Sequence, residues 1–181
     1  MNMASNELYI SRRSPVLSAG GVVASSQPLA TAAGVELLRR GGSAVDAALA
    51  AAAALAVTQP CSTGLGGDAF ALVYEAATGR VHALNGSGRS PAALSLERAR
   101  AASPAGAEHL DLRHAYCVTV PGVVAAWADL SARFGRKPLA EALAPAIAMA
   151  EGGFPVAPQT ARWWATGAAA MKLELPAGPK R

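Results

Sequence analysis

The stretch Gln59-Pro60-Cys61-Ser62-Thr63-Gly64-Leu65-Gly66-Gly67-Asp68-Ala69-Phe70 separates two segments of different character. Upstream, Ala44 to Val57 is a run of mostly alanine interrupted by Asp46. Ser43 and Asp46 have the S-x-x-D spacing of a capping box, in which the serine oxygen takes an orphan N–H of the first turn. Small side chains let other elements come close, so this spacing predicts a central, buried helix stopped by Gln59-Pro60. Downstream, Ala69 to Glu75 reads as a strand, Ala76 to Gly79 as a turn and Arg80 to Leu84 as the returning strand. Val73, Tyr74 and Val81 favour a sheet.

Working outward toward the N-terminus, Pro28 to Arg40 has helical periodicity, with Ala30, Ala33, Leu37 and Leu38 on one face. Pro28 suits the first turn, where its missing N–H costs nothing. Glu36 and Arg40 are spaced to pair at i,i+4, and Gly41-Gly42 supplies the C-terminal cap. Gly20 to Ala24, ahead of it, reads as a strand. Toward the C-terminus lie a polar glycine loop (Asn85 to Pro91), a short helix (Ser95 to Ala101), irregular chain and a short strand (Tyr116 to Val120). Helices follow at Val123 to Phe134, from Lys137-Pro138 to Gly152-Gly153, and from about Pro158. In the second, Leu139, Leu143, Ile147 and Ala150 form a stripe, and Pro145 is predicted to split or kink it. The pair Trp163-Trp164 reads as core packing. The order strand, two helices, hairpin, helices predicts an α+β layer arrangement.

Composition excludes several classes of function. The chain has 181 residues, 52% hydrophobic and 15% charged, which is the reverse of a disordered chain. A net charge of +4 with 5% aromatics and no basic block gives no nucleic-acid footprint. The apolar run Ala44 to Val57 falls short of the roughly 20 residues that cross a bilayer. Met1 to Ser18 is broken by Asn6, Glu7, Arg12 and Arg13 and lacks the core of a signal peptide, so a cytoplasmic location is expected. Cys61 and Cys117 then read as reduced thiols. His82, His109 and His114 have no metal-ligand spacing.

Two glycine loops hold the chemical information. Ser62 to Asp68 reads as a helix-to-strand connection with unusual φ values, or as a nest of backbone N–H groups for an anion. It lacks the lysine of a phosphate loop. Asp68 reads as a loop or strand-start residue, and Asp46 as a cap. Asn85 to Pro91 places Ser87 and Arg89 among glycines. A guanidinium there can clasp a carboxylate, or simply be solvated. No nucleophile–base pair is present, and Cys61 reads as an inert small hydrophobe.

Taken together, several segments resemble the gamma-glutamyltranspeptidase family. They are Val23 to Ala30, Gly34 to Ala48, Gln59 to Phe70, the Asn85 loop, Val118-Thr119-Val120-Pro121-Gly122, and Leu143 to Ile147 continuing to Gly153-Phe154. The resemblance runs in order from about residue 20 and is to the N-terminal part of the large subunit. It implies an N-terminal-nucleophile (Ntn) hydrolase fold, a four-layer αββα sandwich that is incomplete without the small subunit. The implied domain spans residues 19–174, flanked by an N-terminal extension (1–18) and a tail (175–181). Family members cut themselves, and the new N-terminal threonine of the small subunit is nucleophile and, through its amine, base. No Thr-Thr-His segment occurs in this chain, so the resemblance implies no catalytic residue here and calls for no cofactor or metal.

The chain departs from the family at one informative place. True gamma-glutamyl enzymes read Asp-Gly-Arg-Glu-Thr-Ala-Pro after the hairpin, and that arginine grips the substrate's carboxylate. Ser87 stands in the arginine position, with Arg89 two residues on. Losing a bidentate contact weakens recognition by about 2–5 kcal/mol in a buried site. The resemblance is therefore closer to the amidohydrolase and acylase branch, with Ser87, Arg89 and the Gly64–Gly67 loop as one wall of the substrate pocket. The expected function is cleavage of a small-molecule amide, gamma-glutamyl or a related acyl group, in partnership with a small subunit carrying the threonine. The alternatives are a truncated, catalytically inactive remnant or a binding partner, and an independent anion-binding domain built on Ser62 to Asp68.

Overall fold

The computed structural model describes residues 14–104, 107–111 and 114–171. The tail at 175–181 and most of the N-terminal extension lie outside the described residues. The elements are α1 (Pro28–Arg39), α2 (Ala44–Thr58), β1 (Ala69–Glu75), β2 (Arg80–Gly86), α3 (Leu96–Ala102), a 3-10 turn (Ala115–Cys117), α4 (Val123–Phe134), α5 (Leu139–Gly152) and α6 (Pro158–Met171). The class is α+β, as expected.

Helix α2 is the hub. It packs against α1, α4 and α5, and Val45, Asp46, Leu49, Ala50, Ala53 and Ala54 are among its buried residues. The capping box forms in full. The Asp46 N–H donates to Ser43 Oγ (3.1 Å), and the Ser43 N–H donates to Asp46 Oδ2 (2.7 Å). The same Oδ2 accepts the N–H of Arg136 (2.9 Å), so this one carboxylate also pins the link between α4 and α5. Asp46 has no solvent exposure, and its Oδ1 has no hydrogen-bond partner among the described residues. Helix α1 is capped by Gln27, whose Oε1 accepts the N–H groups of Leu29 and Ala30. It closes at Gly41, whose φ of 83° suits glycine.

Strands β1 and β2 form an antiparallel hairpin in which Ala69 faces Gly86 and Glu75 faces Arg80. Its inner face presents Ala69, Ala71, Val73 and Leu84 to the helical core. Helix α4 touches both strands and seats Val123, Ala126, Trp127 and Leu130 in the core.

Several expectations are corrected. Gly20 to Ala24 is irregular chain, and Tyr116 to Val120 is a 3-10 turn followed by extended chain. Neither segment meets a strand partner among the described residues, and a strand cannot stand without one. Pro145 does not split α5, which runs unbroken from Leu139 to Gly152. The buried side of α5 is Ala142 and Ala146, whereas Ile147 is 50% exposed. Arg40 pairs with Glu141 at the start of α5 (2.8 Å) rather than with Glu36. Trp163 and Trp164 are each 45% exposed and lie outside the core.

Candidate functional site

The two glycine loops and the chain ahead of α4 meet at one junction. The carbonyl of Gly67 accepts the N–H groups of Gly122 and Val123 (both 3.0 Å), tying the first loop to the opening of α4. One residue on, Asp68 Oδ1 accepts the N–H of Gly88 (2.7 Å) and the hydroxyl of Thr119 (3.2 Å). The Val120 N–H donates to the carbonyl of Arg89 (2.9 Å). Three backbone segments, at 67–68, 88–89 and 119–123, are thus laced together just past the ends of the hairpin.

The glycines of the junction are there for closeness. A Cβ on Gly88 would lie 1.8 Å from the Val120 carbonyl oxygen. One on Gly122 would lie 2.3 Å from the Gly86 oxygen, and one on Gly86 would lie 2.5 Å from the Ala126 Cβ. None of these glycines has positive φ, so backbone contact and not backbone conformation selects them.

The first loop behaves differently. Gly64, Gly66 and Gly67 also lack positive φ, which corrects the reading of a turn with unusual φ values. The loop equally lacks the alternation of right- and left-handed residues that makes an anion nest. A Cβ on Gly64 or Gly66 would meet nothing within 4 Å. Nothing among the described residues therefore requires glycine at these two positions.

Ser87 and Arg89 are brought together on the surface of the junction, and both are exposed. The Ser87 N–H donates to Asn85 Oδ1 (3.0 Å), and its hydroxyl donates to the Gly88 carbonyl (3.3 Å). The backbone around Arg89 is held on both sides, by Asp68 at Gly88 and by Val120 at its own carbonyl. Its guanidinium makes no ion pair or hydrogen bond among the described residues. A fixed backbone with an unpaired guanidinium is suited to gripping an anion, because the arginine fork matches a carboxylate. Asp68, Thr119 and Gly122 acquire their roles only here. Their bonds span 20, 51 and 55 residues, and no local signal announces contacts of that range.

A second polar cluster links the hairpin to α4. Arg133 Nη2 lies 3.0 Å from His82 Nδ1, and His82 Nε2 lies 3.4 Å from Glu75 Oε2. Arginine only donates, so Nδ1 accepts and Nε2 carries the proton toward Glu75. The hydroxyl of Thr78 also donates to Glu75 Oε2 (2.7 Å). The Thr78 bond and then the His82 bond hold the Glu75 carboxyl below its ordinary value of 4.5, helped by the charge of Arg133.

Among the described residues, no helix is long and apolar enough to cross a membrane. Cys61 and Cys117 are exposed free thiols, and no three potential ligands group as a metal site.

Comparison with known proteins places this architecture. The family model for gamma-glutamyltranspeptidase matches residues 30–179. A glutathione hydrolase-like YwrD proenzyme of Bacillus subtilis (strain 168) is 39% identical over 147 residues, 81% of this chain and 27% of that protein. The crystal structure of cephalosporin acylase from Bacillus halodurans superposes with a TM-score of 0.75 at 44% identity, over 93% of this chain and 32% of that one. Helicobacter pylori gamma-glutamyltranspeptidase superposes with a TM-score of 0.78 at 30% identity, over 89% and 46%. The helices and hairpin are thus part of an Ntn-hydrolase fold, and the chain spans less than half the length of each of these proteins. With its sequence match and its superposition in agreement, the chain belongs to the gamma-glutamyltranspeptidase family.

Proposed function

We propose that this chain is the N-terminal large-subunit portion of a gamma-glutamyltransferase-like amidohydrolase. The complete enzyme cleaves a small-molecule amide, gamma-glutamyl or a related acyl group. The nucleophile is a threonine supplied by a small subunit, through acyl transfer and then release to water or an amine. This chain contributes one wall of the pocket. Arg89 holds the carboxylate of the acyl group, Ser87 lies beside it, and the open Gly64–Gly67 loop admits substrate or partner backbone. The observation that carries the reading is the Arg89 guanidinium, unpaired among the described residues, on a backbone fixed at both ends. The acylase relative supports the branch in which Ser87 replaces the arginine of gamma-glutamyl enzymes. The reading places the enzyme in the cytoplasm and requires neither cofactor nor nucleic acid.

The bare outer face of the hairpin supports a protein partner. Phe70, Leu72, Tyr74 and Val81 are 63–77% exposed on it. A sheet apolar on both faces belongs between two layers. The same face fits the rival reading, an inactive remnant, unless a second layer is found.

Expressing the reading frame extended beyond codon 181 tests the proposal. Two chains, the smaller opening with threonine and the pair hydrolysing gamma-glutamyl 4-nitroanilide or a related acyl anilide, support it. A product that stays whole and turns over nothing establishes the remnant. Residues 1–181 alone are expected to hydrolyse none, and turnover by a chain of verified mass overturns the argument that the nucleophile lies elsewhere.

A further inference from the structure

We propose that Asp68 is a positioning residue for substrate recognition, setting Arg89 toward the acyl carboxylate; this rests on the reading of Arg89 given above. Strand β1 begins at Ala69 and pairs through its backbone, so it has no need of an acid at its threshold. The Asp68 side chain instead reaches past the end of β2. Its Oδ1 takes the Gly88 N–H at 2.7 Å, the short distance typical of a charge-assisted bond. The same oxygen accepts the Thr119 hydroxyl, and the N–H of Val120 beside it donates to the Arg89 carbonyl. With Gly88 pressed on Val120, the peptide ahead of Arg89 has no room to shift toward α4. Asp68 therefore fixes where the Arg89 side chain leaves the backbone. Without that bond the Gly88 N–H is released, the loop is free on one side, and the guanidinium samples many directions. The loss falls on binding of the acyl group and not on the chemistry of the threonine.

The test uses the complete self-cleaved enzyme and two substrates, gamma-glutamyl 4-nitroanilide and its alpha-methyl ester, which lacks the carboxylate. Asp68→Ala is expected to raise KM for the acid about tenfold, with kcat within about twofold, and to leave KM for the ester unchanged. Asp68→Asn keeps an acceptor oxygen and is expected to recover most of the loss. Arg89→Gln is expected to raise KM for the acid alone, and the double variant to add little, since both changes remove one contact. If Arg89→Gln has no effect, the reading of Arg89 fails and the role of Asp68 falls with it. If Arg89→Gln acts and Asp68→Ala leaves both KM values unchanged, or lowers kcat equally for acid and ester, the positioning role is overturned. Should Asp68→Ala fail to cleave itself, Thr119→Val decides. It removes the second donor to the same oxygen. A rise of about threefold in KM for the acid alone supports the role, and no change overturns it.

Discussion

Gly88 shows how much a single missing Cβ carries. Its hydrogen stands where a methyl group would lie 1.8 Å from the Val120 carbonyl oxygen, a backbone atom that cannot swing aside. Gly88→Ala is therefore expected to open the junction and cost about 2–4 kcal/mol, read as a fall in thermal midpoint. An unchanged midpoint would show that the loop is free to shift. Asp46 makes the complementary case for a side chain. It has no exposure and accepts the N–H groups of Ser43 and Arg136. Asp46→Ala leaves both donors unpaired, at about 1–3 kcal/mol each, so a loss of about 2–6 kcal/mol in urea unfolding is expected. A loss below about 1 kcal/mol, the scale of an ordinary cap, would show that the link to Arg136 contributes nothing.

Among the elements, the hairpin is joined to its neighbour α4 through a cluster of ionisable side chains. Glu75, His82 and Arg133 connect β1, β2 and α4. The Glu75 carboxyl lies below its ordinary 4.5 in the folded chain, chiefly through Thr78 and His82. A depressed carboxylate stabilises the fold fully above the unfolded value. It loses that contribution as pH falls through the folded value. The midpoint difference between the native chain and Glu75→Gln is thus expected to be present at neutral pH and to shrink on acidification below 4.5. A difference independent of pH between neutral and strongly acid solution would rule out a charge origin. Helices α1 and α2 and both strands lie within a residue or two of where periodicity and caps place them. The exceptions share a cause. Gly20 to Ala24 and Tyr116 to Val120 have strand-like composition, but strand identity belongs to a ladder of paired residues, and among the described residues neither segment forms one. Pro145 is tolerated inside α5 because one missing N–H is outweighed by the packing of Ala142 and Ala146 on the core.

For the whole molecule, the decisive feature is the asymmetry of the hairpin. One face is covered by helices, and the other exposes Leu72 to 77% and Phe70 to 69%. The isolated chain is expected to bind a hydrophobic dye strongly and to self-associate. Leu72→Lys with Phe70→Ser is expected to abolish both while moving folding stability by only about 0.5 kcal/mol per site. Dye binding that survives the double change would place the exposed apolar surface elsewhere.

What residues 1–181 determined alone is what neighbours in sequence can express. Caps, helical periodicity, a hairpin and two glycine loops are local, and their family resemblance follows from their order. Ser87 and Arg89 were legible as candidates because their loop is contiguous. The tertiary structure alone decided what those loops do. Asp68 reads as a loop or strand-start acid until it meets Gly88 and Thr119, and Gly88 is one glycine of a polar loop until Val120 closes on it. Hydrogen bonds and van der Waals contact act over a few ångströms of space whatever the separation along the chain, so a junction of three distant segments exists only once the hairpin and α4 have brought them together.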